Sequence, residues 1–370
     1  MSLRSFLKRA LVWFGPTVIF LVVAEVAARS FNAGAPNPLQ SDSVLNHVWI
    51  PNEVRTTSSF VDRGIPPFTR RVNGQSWMMD YDVAPDKKEG TYRIAYLGDS
   101  FTEGTCPEQD TVPSIVGRNL RVPGFSGVEV INTGTSSYAP TLYYLLLKTR
   151  LLGFHPDLIV LNVDMTDVFD DSLYRATLTT DQNGEPIACP PGHPLLGTHQ
   201  RTERGLEEIP MAQRGVAWLS ERSALIKLLA QVSGQFKRRA KVDDGGVEQA
   251  FAWCGANRSD ETKEDVRWSM SMLKRVIQLA KRHGIKVVVT GVPHLQQLDG
   301  RWSLQPMNDI AAVCAEEGVP FLDPIHSFKQ RLGNTPPSDI YIPNDMHFNP
   351  KGYQMWAEIQ LDFLKGLNLP

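Results

Sequence analysis

The sequence has few cysteines and no excess of charge of either sign. Only 4 of its 370 residues are cysteine, and neither these nor the 8 dispersed histidines show the spacing of a zinc site. Lysine and arginine number 38 and aspartate and glutamate 40, so the formal net charge is −2, and the basic residues are scattered. These features argue against a structural zinc module and give no sign of a protein that binds nucleic acid.

Long apolar runs are also scarce, and the most pronounced one lies near the amino terminus. Arg4, Lys8 and Arg9 precede an apolar stretch over residues 10–28 in which Glu25 is the charged exception. A helix of that length would extend about 28 Å, close to the roughly 30 Å hydrocarbon core of a bilayer. The basic residues before it predict that the amino-terminal end stays in the cytoplasm. Because the run is long for the core of a signal peptide, we expect residues 1–30 to be an uncleaved, single-pass signal anchor. The remaining chain would then lie outside the cytoplasm, in the periplasm or at the cell surface.

Two other interpretations of this stretch stay open. It could be a cleaved signal peptide, with the small residues Val26-Ala27-Ala28 at the cleavage site, or a buried amphipathic helix. Export would permit disulfides. Because Cys189 and Cys254 fall in the same irregular segment, they are the expected pair.

The middle of the chain suggests how the domains are organised. Residues 31–90 are rich in proline, asparagine, aspartate and glycine, which predicts a stalk followed by an extended arm packed on the main domain, residues 91–370. Within that domain, loops, an apolar helical segment and a basic patch interrupt the pattern at about residues 169–260. We interpret this segment as an insertion that caps the sheet edge. A lid, or a surface that faces a sugar or a membrane, is the alternative.

From residue 93 onward, short apolar runs alternate with segments of helical spacing. Five of the runs are typical of buried strands, at residues 93–97, 128–131, 156–163, 285–290 and 319–323. The fourth is β-branched at every position except Lys286, as expected inside a parallel sheet that is covered on both faces. Helix–strand alternation with short links predicts an α/β fold with a doubly wound parallel sheet.

The first of these strands leads into Gly98-Asp99-Ser100, where we predict a strand-to-helix turn. Such a turn suits a nucleophile, because the strand fixes the serine hydroxyl and the turn exposes it. The free N–H groups of the helix start can also face an oxyanion. Aspartate and serine are good helix caps as well, so these three residues alone are a weak signal. Cys106, close by, is expected to be a bystander.

The segment before the last helix holds a candidate base and a candidate acid. Asp345 and His347 are two positions apart, so in an extended segment their side chains leave on one side. Ser100 needs a base that works near neutral pH, and the imidazole in turn needs an orienting carboxylate. A single histidine is more often a satisfied surface or core residue. Asp323 is a rival carboxylate, but its place at a strand end before a proline indicates a structural role.

Together these segments resemble the SGNH (GDSL-type) hydrolases, in particular membrane-anchored bacterial members. The resemblance covers about residues 93–367 and rests on Gly98-Asp99-Ser100 and on the terminal Asp-x-His. SGNH hydrolases have Asp-x-x-His there, whereas alginate-type O-acetyltransferases share the shorter spacing. The resemblance implies a three-layer α/β/α sandwich with a flavodoxin-like parallel sheet, no metal or other cofactor, and a catalytic triad of Ser100, His347 and Asp345.

The middle blocks of the family carry two departures in this chain. In the second block, Asn-x-x-x-x-Gly, the glycine N–H is an oxyanion donor, and Ser137 holds that position. Serine has the same N–H, so the resemblance implies oxyanion donors at Ser100 and Ser137, with Thr166 as the third. In the third block, Gly-x-Asn-Asp, Thr166 replaces the asparagine donor with a shorter O–H, and losing a donor costs about 10²–10³ in rate. Asn162 could substitute, but its place inside a strand indicates a structural role.

The resemblance implies a metal-independent serine esterase. The expected location suggests O-acetyl groups on an envelope or secreted polysaccharide as its substrate. An O-acyltransferase with the same triad and a sugar hydroxyl as acceptor is the first alternative. A catalytically weak glycan-binding or scaffold protein, suggested by Thr166 and Ser137, is the second. The expected partners are an ester-bearing small molecule or polysaccharide and, through the amino-terminal helix, a membrane.

Overall fold

The computed structural model describes residues 3–30, 39–191, 223, 225, 226, 249–367 and 369. Its strands are β1 (Leu39–Asp42), β2 (Asn46–Trp49), β3 (Val54–Thr57), β4 (Phe68–Arg71), β5 (Thr91–Leu97), β6 (Gly127–Asn132), β7 (Leu158–Val163), β8 (Thr179–Thr180), β9 (Pro186–Ala188), β10 (Lys286–Gly291) and β11 (Phe321–Leu322). Its helices are α1 (Leu3–Ser30), α2 (Ser100–Glu103), α3 (Val112–Asn119), α4 (Pro140–Leu146), α5 (Asp167–Arg175), α6 (Asp260–Arg282), α7 (Leu295–Leu298), α8 (Gln305–Glu317), α9 (Ile325–Leu332) and α10 (Pro350–Gly366). The chain divides into two compact units, Met1–Pro38 with Gly192–Lys241 and Leu39–Pro191 with Val242–Pro370.

The larger unit is built on a five-stranded parallel sheet with the strand order β6-β5-β7-β10-β11. All six residues of β7 are buried, because strands flank both of its edges and helices cover the sheet. The five strands predicted from the sequence are confirmed, each with bounds within two residues of the prediction. The α/β fold with a parallel sheet is therefore confirmed as well.

The helices of this unit pack in two groups. α3 packs against α10, which also contacts α9, whereas α6 packs against α4, α5 and α8. α3 contacts the edge strand β6, and α6 and α8 contact β10. A helical group on each face of the sheet gives the expected three-layer α/β/α arrangement. Directly after α4 the chain continues as a π-helical turn, Leu147–Leu151.

The arm over residues 39–90 is part of the same folded unit. It contains two antiparallel hairpins, β1–β2 and β3–β4. Trp77, Met79 and Val83 lie in the main hydrophobic core. The buried Arg70 side chain donates to the carbonyl of Met78 (3.0 Å) and to the carboxylate of Glu108 (3.4 Å). Residues 31–38, where a stalk was predicted, lie outside the described residues.

The predicted insertion is described only in part. Its first residues continue α5, which packs against α4 and α6 and so belongs to the helical layer. β8 and β9 then form a short hairpin. The basic patch at residues 237–241 lies outside the described residues, as does the apolar segment at residues 216–232 apart from residues 223, 225 and 226.

The expected disulfide between Cys189 and Cys254 is wrong, because all four cysteines are free thiols and buried. The Sγ atom of Cys189 lies 3.5 Å from the carbonyl oxygen of Tyr174 and 3.5 Å from the hydroxyl of Thr177. Burial raises the pKa of the Cys189 thiol to about 11. The thiols are therefore packed as small protonated core groups rather than paired.

In the smaller unit, residues 3–30 form one helix, α1, which contains Pro16. Glu25 near its end accepts hydrogen bonds from the hydroxyl of Ser223 (2.7 Å) and the N–H of Leu225 (3.0 Å). Within the part of the chain that the structure describes, no helix has both the length and the apolar character needed to cross a bilayer. The structure thus does not support the predicted transmembrane helix.

Candidate active site

Three neighbouring strands of the parallel sheet, β5, β7 and β10, end at one edge, and polar side chains follow each of them. β5 and β7 are paired through Leu97 and Leu161, so residues two to five positions further on are brought together. The polar residues that follow the three strands are Asp99 and Ser100, Asp164 and Thr166, and His294. This edge is where the sequence placed the nucleophile.

Ser100 is the first residue of α2, directly after the turn that ends β5. Asp99 caps the helix, because its Oδ1 accepts the N–H of Phe101 at 2.9 Å. The turn is tight: a Cβ on Gly98 would lie 1.9 Å from the hydroxyl oxygen of Thr102, so a side chain at this position would collide with the helix. Asp99 therefore serves as the helix cap, and Ser100, the first residue of the same helix, remains half-buried.

Ser100, His347 and Asp345 form a continuous chain of hydrogen bonds. The Oγ of Ser100 lies 2.7 Å from Nε2 of His347, and Nδ1 of His347 lies 2.6 Å from Oδ1 of Asp345. Because a carboxylate only accepts, Nδ1 carries the proton, which leaves Nε2 of the neutral ring to accept from the serine. The second contact of the serine hydroxyl, with Oδ2 of Asp99, is longer at 3.3 Å.

The loop before α10 fixes Asp345 relative to the imidazole. Oδ1 of Asp345 also accepts the backbone N–H of His347 at 3.0 Å, and its Oδ2 pairs with the guanidinium of Arg63 at 3.2 Å. Burial acts against ionisation of this carboxyl, but the two hydrogen bonds from His347 and the charges of His347 and Arg63 lower its pKa. Asp345 is therefore a carboxylate at neutral pH, as an orienting acceptor must be.

The loop after β6 holds Ser137 in the left-handed backbone region, with φ of 63°. This conformation favours glycine, the residue that the SGNH hydrolases have at this position. Tyr174 donates to the carbonyl of Ser137 at 2.6 Å and thereby fixes the peptide. Among the described residues, the N–H of Ser137 donates to no protein acceptor.

Glu103 and His47 hold the preceding residue, Ser136, from two sides. One oxygen of Glu103 accepts both the N–H and the hydroxyl of Ser136, each at 3.0 Å. Nε2 of His47 donates to the carbonyl of Ser136 at 2.9 Å. Burial raises the pKa of Glu103, although the charge of Arg70 opposes the shift. The helix that begins with Ser100 thus ends on the residue that anchors the Ser136–Ser137 loop.

Thr166 lies at the same edge, but its hydroxyl is already engaged. It donates to Oδ2 of Asp164 at 2.6 Å, and the Thr166 N–H donates to the same oxygen at 2.9 Å. A hydroxyl has a single proton, so in this arrangement the Thr166 side chain offers lone pairs only. The structure therefore does not present Thr166 as the third oxyanion donor that the sequence suggested.

Asp164 in turn binds a histidine that the sequence analysis did not single out. Nε2 of His294 lies 2.6 Å from Oδ1 of Asp164, and both side chains are buried. The other side of the ring accepts the N–H of Gln297, so Nε2 is the nitrogen that donates to the carboxylate. Burial acts against ionisation of Asp164, but the charge and hydrogen bond of His294 and the bonds from Thr166 lower its pKa.

Three buried carboxylates, those of Asp99, Asp164 and Asp167, lie within 4.8 Å of one another. Each has partners within the protein, and Tyr143 donates to Asp167 at 3.2 Å. Burial and repulsion from neighbouring carboxylates raise the pKa of both Asp99 and Asp167 well above the usual range. Asp99 and Asp167 are therefore inclined to retain protons beside Asp164, whose pKa is lowered.

The remaining sequence candidates have structural surroundings. Asn162 is buried, donates to the hydroxyl of Thr102 at 2.8 Å and accepts from Gln360 at 2.9 Å, so its amide is hydrogen-bonded within the core. Asp323 accepts the N–H of Ile325 at the start of α9. Cys106 is buried, and burial raises the pKa of its thiol to about 12.

Comparison with known proteins identifies the family. The sequence model of the GDSL-like lipase/acylhydrolase family matches residues 96–355. The chain belongs to this family. As a GDSL-like acylhydrolase it is an ester-hydrolysing enzyme. Among curated protein sequences, none matches this acylhydrolase significantly.

Several solved structures are similar to this GDSL-like acylhydrolase. A catalytic mutant of an acetylxylan esterase from Geobacillus stearothermophilus is 11% identical, with 75% of this chain and 96% of that chain covered and a TM-score of 0.43. A lipase/acylhydrolase from Enterococcus faecalis is 13% identical, with coverage of 74% and 96% and a TM-score of 0.40. The acetyl xylan esterase AlAXEase is 15% identical, with coverage of 74% and 99% and a TM-score of 0.41.

Three residues of the site were missed by sequence reasoning. Glu103 lies three residues after Ser100 but was not given a role, although an acidic residue so close to the candidate nucleophile is itself a signal. His294 follows β10 at the carboxyl edge of the sheet, where the strand-end rule points to functional side chains. Arg63 lies in the arm, where no pattern marks it.

Proposed function

We propose that this GDSL-like acylhydrolase is a serine esterase that removes O-acyl groups, O-acetyl groups first of all, from a carbohydrate. The proposal rests on the hydrogen-bonded chain from Ser100 through His347 to Asp345, with its 2.7 Å and 2.6 Å contacts. A serine hydroxyl is a weak nucleophile by itself, and a base within hydrogen-bond reach is what activates it.

In the first half of the reaction, Ser100 Oγ attacks the ester carbonyl carbon while Nε2 of His347 takes the hydroxyl proton. The imidazolium that forms is stabilised by the carboxylate of Asp345, which stays ionised. When the tetrahedral intermediate collapses, the bond to the alcohol oxygen breaks and His347 gives its proton to the leaving alcohol. The acyl group is then bound to Ser100 as an ester.

In the second half, a water molecule takes the place of the alcohol. His347 removes a proton from the water, and the resulting hydroxide adds to the acyl carbon. Collapse breaks the bond to Ser100, whose oxygen recovers the proton from His347, and the carboxylic acid leaves. We assign the oxyanion to the N–H groups of Ser100 and Ser137, since the loop that carries Ser137 is held by Glu103, His47 and Tyr174.

The exposed polar groups of the site support a hydroxyl-rich alcohol as the leaving group. Ser137 is exposed, and Ser100 and Thr166 are half-buried. The Thr166 oxygen, whose proton is donated to Asp164, can accept a hydrogen bond from a sugar hydroxyl.

The proposed place of action is outside the cytoplasm, with the first helix at a membrane. This part rests on the basic residues before the apolar stretch at residues 10–28. It is supported by the apolar side chains from Val18 to Val23 in α1, each of which is at least 50% exposed. Cell fractionation with protease protection of the full chain tests it: the enzyme should sediment with membranes and be digested from the outer side.

The test of the activity is release of acetate from an acetylated oligosaccharide, with Ser100→Ala as the control. Free acetate formed by the wild type and abolished in Ser100→Ala is the expected result. Transfer of acetyl groups to an added glycan, in preference to release, would instead establish the acyltransferase that shares the Asp-x-His spacing. Retained glycan binding without turnover in either assay would contradict the proposal and favour a binding protein on this fold.

A further inference from the structure

The hairpin β3–β4 of the arm places one of its side chains on the triad acid. Residues Val61–Arg63 form a short helical turn at the tip of this hairpin. Nη1 of Arg63 donates to Oδ2 of Asp345 at 3.2 Å and to the carbonyl oxygen of Asn344 at 3.4 Å. Arg63 and Asp345 are 282 residues apart in sequence, so the contact exists only because the arm is folded onto the domain.

The contact occupies the half of the carboxylate that the histidine leaves unused. Oδ1 of Asp345 accepts both Nδ1–H and the backbone N–H of His347. With Arg63 on Oδ2, both oxygens are held, and the plane of the carboxylate is fixed relative to the imidazole. The Asp345 side chain is 20% exposed, so without Arg63 its Oδ2 would face water and the group could rotate.

Arg63 also adds a positive charge beside the group that becomes an imidazolium during the reaction. The other ionisable groups around His347 are Asp345 on its own loop, Glu103 at the end of α2 and Asp99 beside the Ser100 hydroxyl. Among the described residues, Arg63 is in direct contact with Asp345, and the charge of Arg70 acts on Glu103. The charge of Arg63 therefore opposes protonation of the imidazole and favours the neutral base.

We propose that Arg63 is a positioning residue of this acylhydrolase, which orients the triad carboxylate and keeps His347 available as a base. The arm then completes the active site instead of serving only as a connection to the amino terminus. The inference rests on the proposed function, because it assigns Arg63 a part in the Ser100–His347–Asp345 relay. Its structural content, a carboxylate held by Arg63, can be measured independently of catalysis.

The test compares full-length wild type with Arg63→Gln and Arg63→Lys. In Arg63→Gln we expect the acid limb of kcat/KM to move to higher pH by about half a unit, because the guanidinium charge beside Asp345 no longer opposes protonation of the imidazole. We expect kcat to fall about 10-fold as the relay loosens. Arg63→Lys keeps the charge, so its acid limb should coincide with that of the wild type, with part of kcat restored.

Proton NMR gives the readout that does not depend on turnover. The Nδ1–H of His347, held at 2.6 Å from Asp345, should give a downfield signal in the wild type that shifts or broadens in Arg63→Gln. Arg55→Gln is the matched control, because Arg55 lies on the same hairpin, stacks on Trp49 and should change neither readout.

An Arg63→Gln protein whose signal and acid limb match the wild type would overturn the inference. A lower kcat with an unchanged acid limb and an unchanged NMR signal would overturn it as well, because that result would indicate only a loss of arm packing. If the wild type shows no Ser100-dependent activity, the proposed function fails, and the NMR comparison still decides whether Arg63 holds the triad acid.

Discussion

Thr166 donates its hydroxyl proton to Asp164 at 2.6 Å, and Asp164 is itself held by His294. The family's asparagine at this position can offer two amide protons, whereas the threonine hydroxyl has one and has already used it. The oxyanion of this enzyme would therefore be met mainly by backbone N–H groups.

Thr166→Val should consequently retain most of its kcat. Removing a true oxyanion donor costs about 10²–10³ in kcat, but we expect a loss below about 10-fold here. The unfolding free energy should fall by about 1.5–3 kcal/mol, because a hydrogen bond to a carboxylate is lost. Steady-state kinetics and denaturant unfolding check both values. Thr166→Ser, which keeps the hydroxyl, is the matched control, and a 100-fold loss in Thr166→Val alone would show that Thr166 does donate.

Ser137→Gly should be more stable than the wild type and equally active. Its φ of 63° costs a residue with a Cβ about 1 kcal/mol, which glycine avoids, while the N–H that we assign to the oxyanion remains. Thermal unfolding and kcat measure the two effects. Ser137→Ala keeps both the Cβ and the N–H, so it should be active without the gain in stability. A large loss of activity in both variants would mean that the serine hydroxyl, not the peptide, takes part.

Glu103→Ala should lower kcat through the loop that it anchors. Its carboxylate takes the N–H and hydroxyl of Ser136, and without it the Ser137 peptide is free to move. A displacement of about 1 Å at a reacting group can cost about 10² in rate. Glu103→Gln still offers an oxygen to the Ser136 N–H and should retain more activity. An equal kcat in Glu103→Ala and the wild type would show that Glu103 does not support catalysis through this loop.

The five strands of the sheet could be predicted because buried parallel strands have short apolar sequences that are rich in β-branched residues. The terminal Asp345 and His347 could be predicted because a loop segment keeps acid and base adjacent in sequence. The free state of Cys189 and Cys254 could not be predicted, because the sequence alone does not distinguish buried free thiols from cysteines in a disulfide.

The finer features of the site depend on contacts that sequence spacing does not encode. Arg63 reaches Asp345 across 282 residues, from an arm without regular periodicity. The direction of the Thr166 hydroxyl depends on where the Asp164 carboxylate lies after β7. The residue types alone do not determine that position. His294 was within reach of prediction, since it follows β10 at the same edge of the sheet.

Asp171 should make the stability of the enzyme depend on pH. Burial raises its pKa from 3.8 to about 6, so the folded state binds a proton that the unfolded state releases between those values. The unfolding free energy therefore falls as the pH rises from about 4 to about 6, by about 3 kcal/mol for a shift of about two units.

Asp171→Asn removes this titration and should retain the bond to the Thr141 N–H through its amide oxygen. Denaturant unfolding at pH 4 and pH 7 measures the outcome. The unfolding free energy of the variant should exceed that of the wild type only at pH 7. Asp86→Asn, at an exposed site of the arm, should give no difference between the two pH values. An equal increase in the unfolding free energy of Asp171→Asn at both pH values would show that titration of Asp171 is not the cause of the pH dependence.

The most direct test of the triad is labelling of the full chain with a fluorophosphonate, followed by mass spectrometry of the adduct. We predict one adduct on Ser100, none in Ser100→Ala, and labelling slowed by about 10²–10⁴ in His347→Ala, the range that proton transfer contributes. Ser126→Ala, in the loop between α3 and β6, should label like the wild type. A folded wild-type enzyme that stays unlabelled, or that labels equally after Ser100→Ala, would contradict the account.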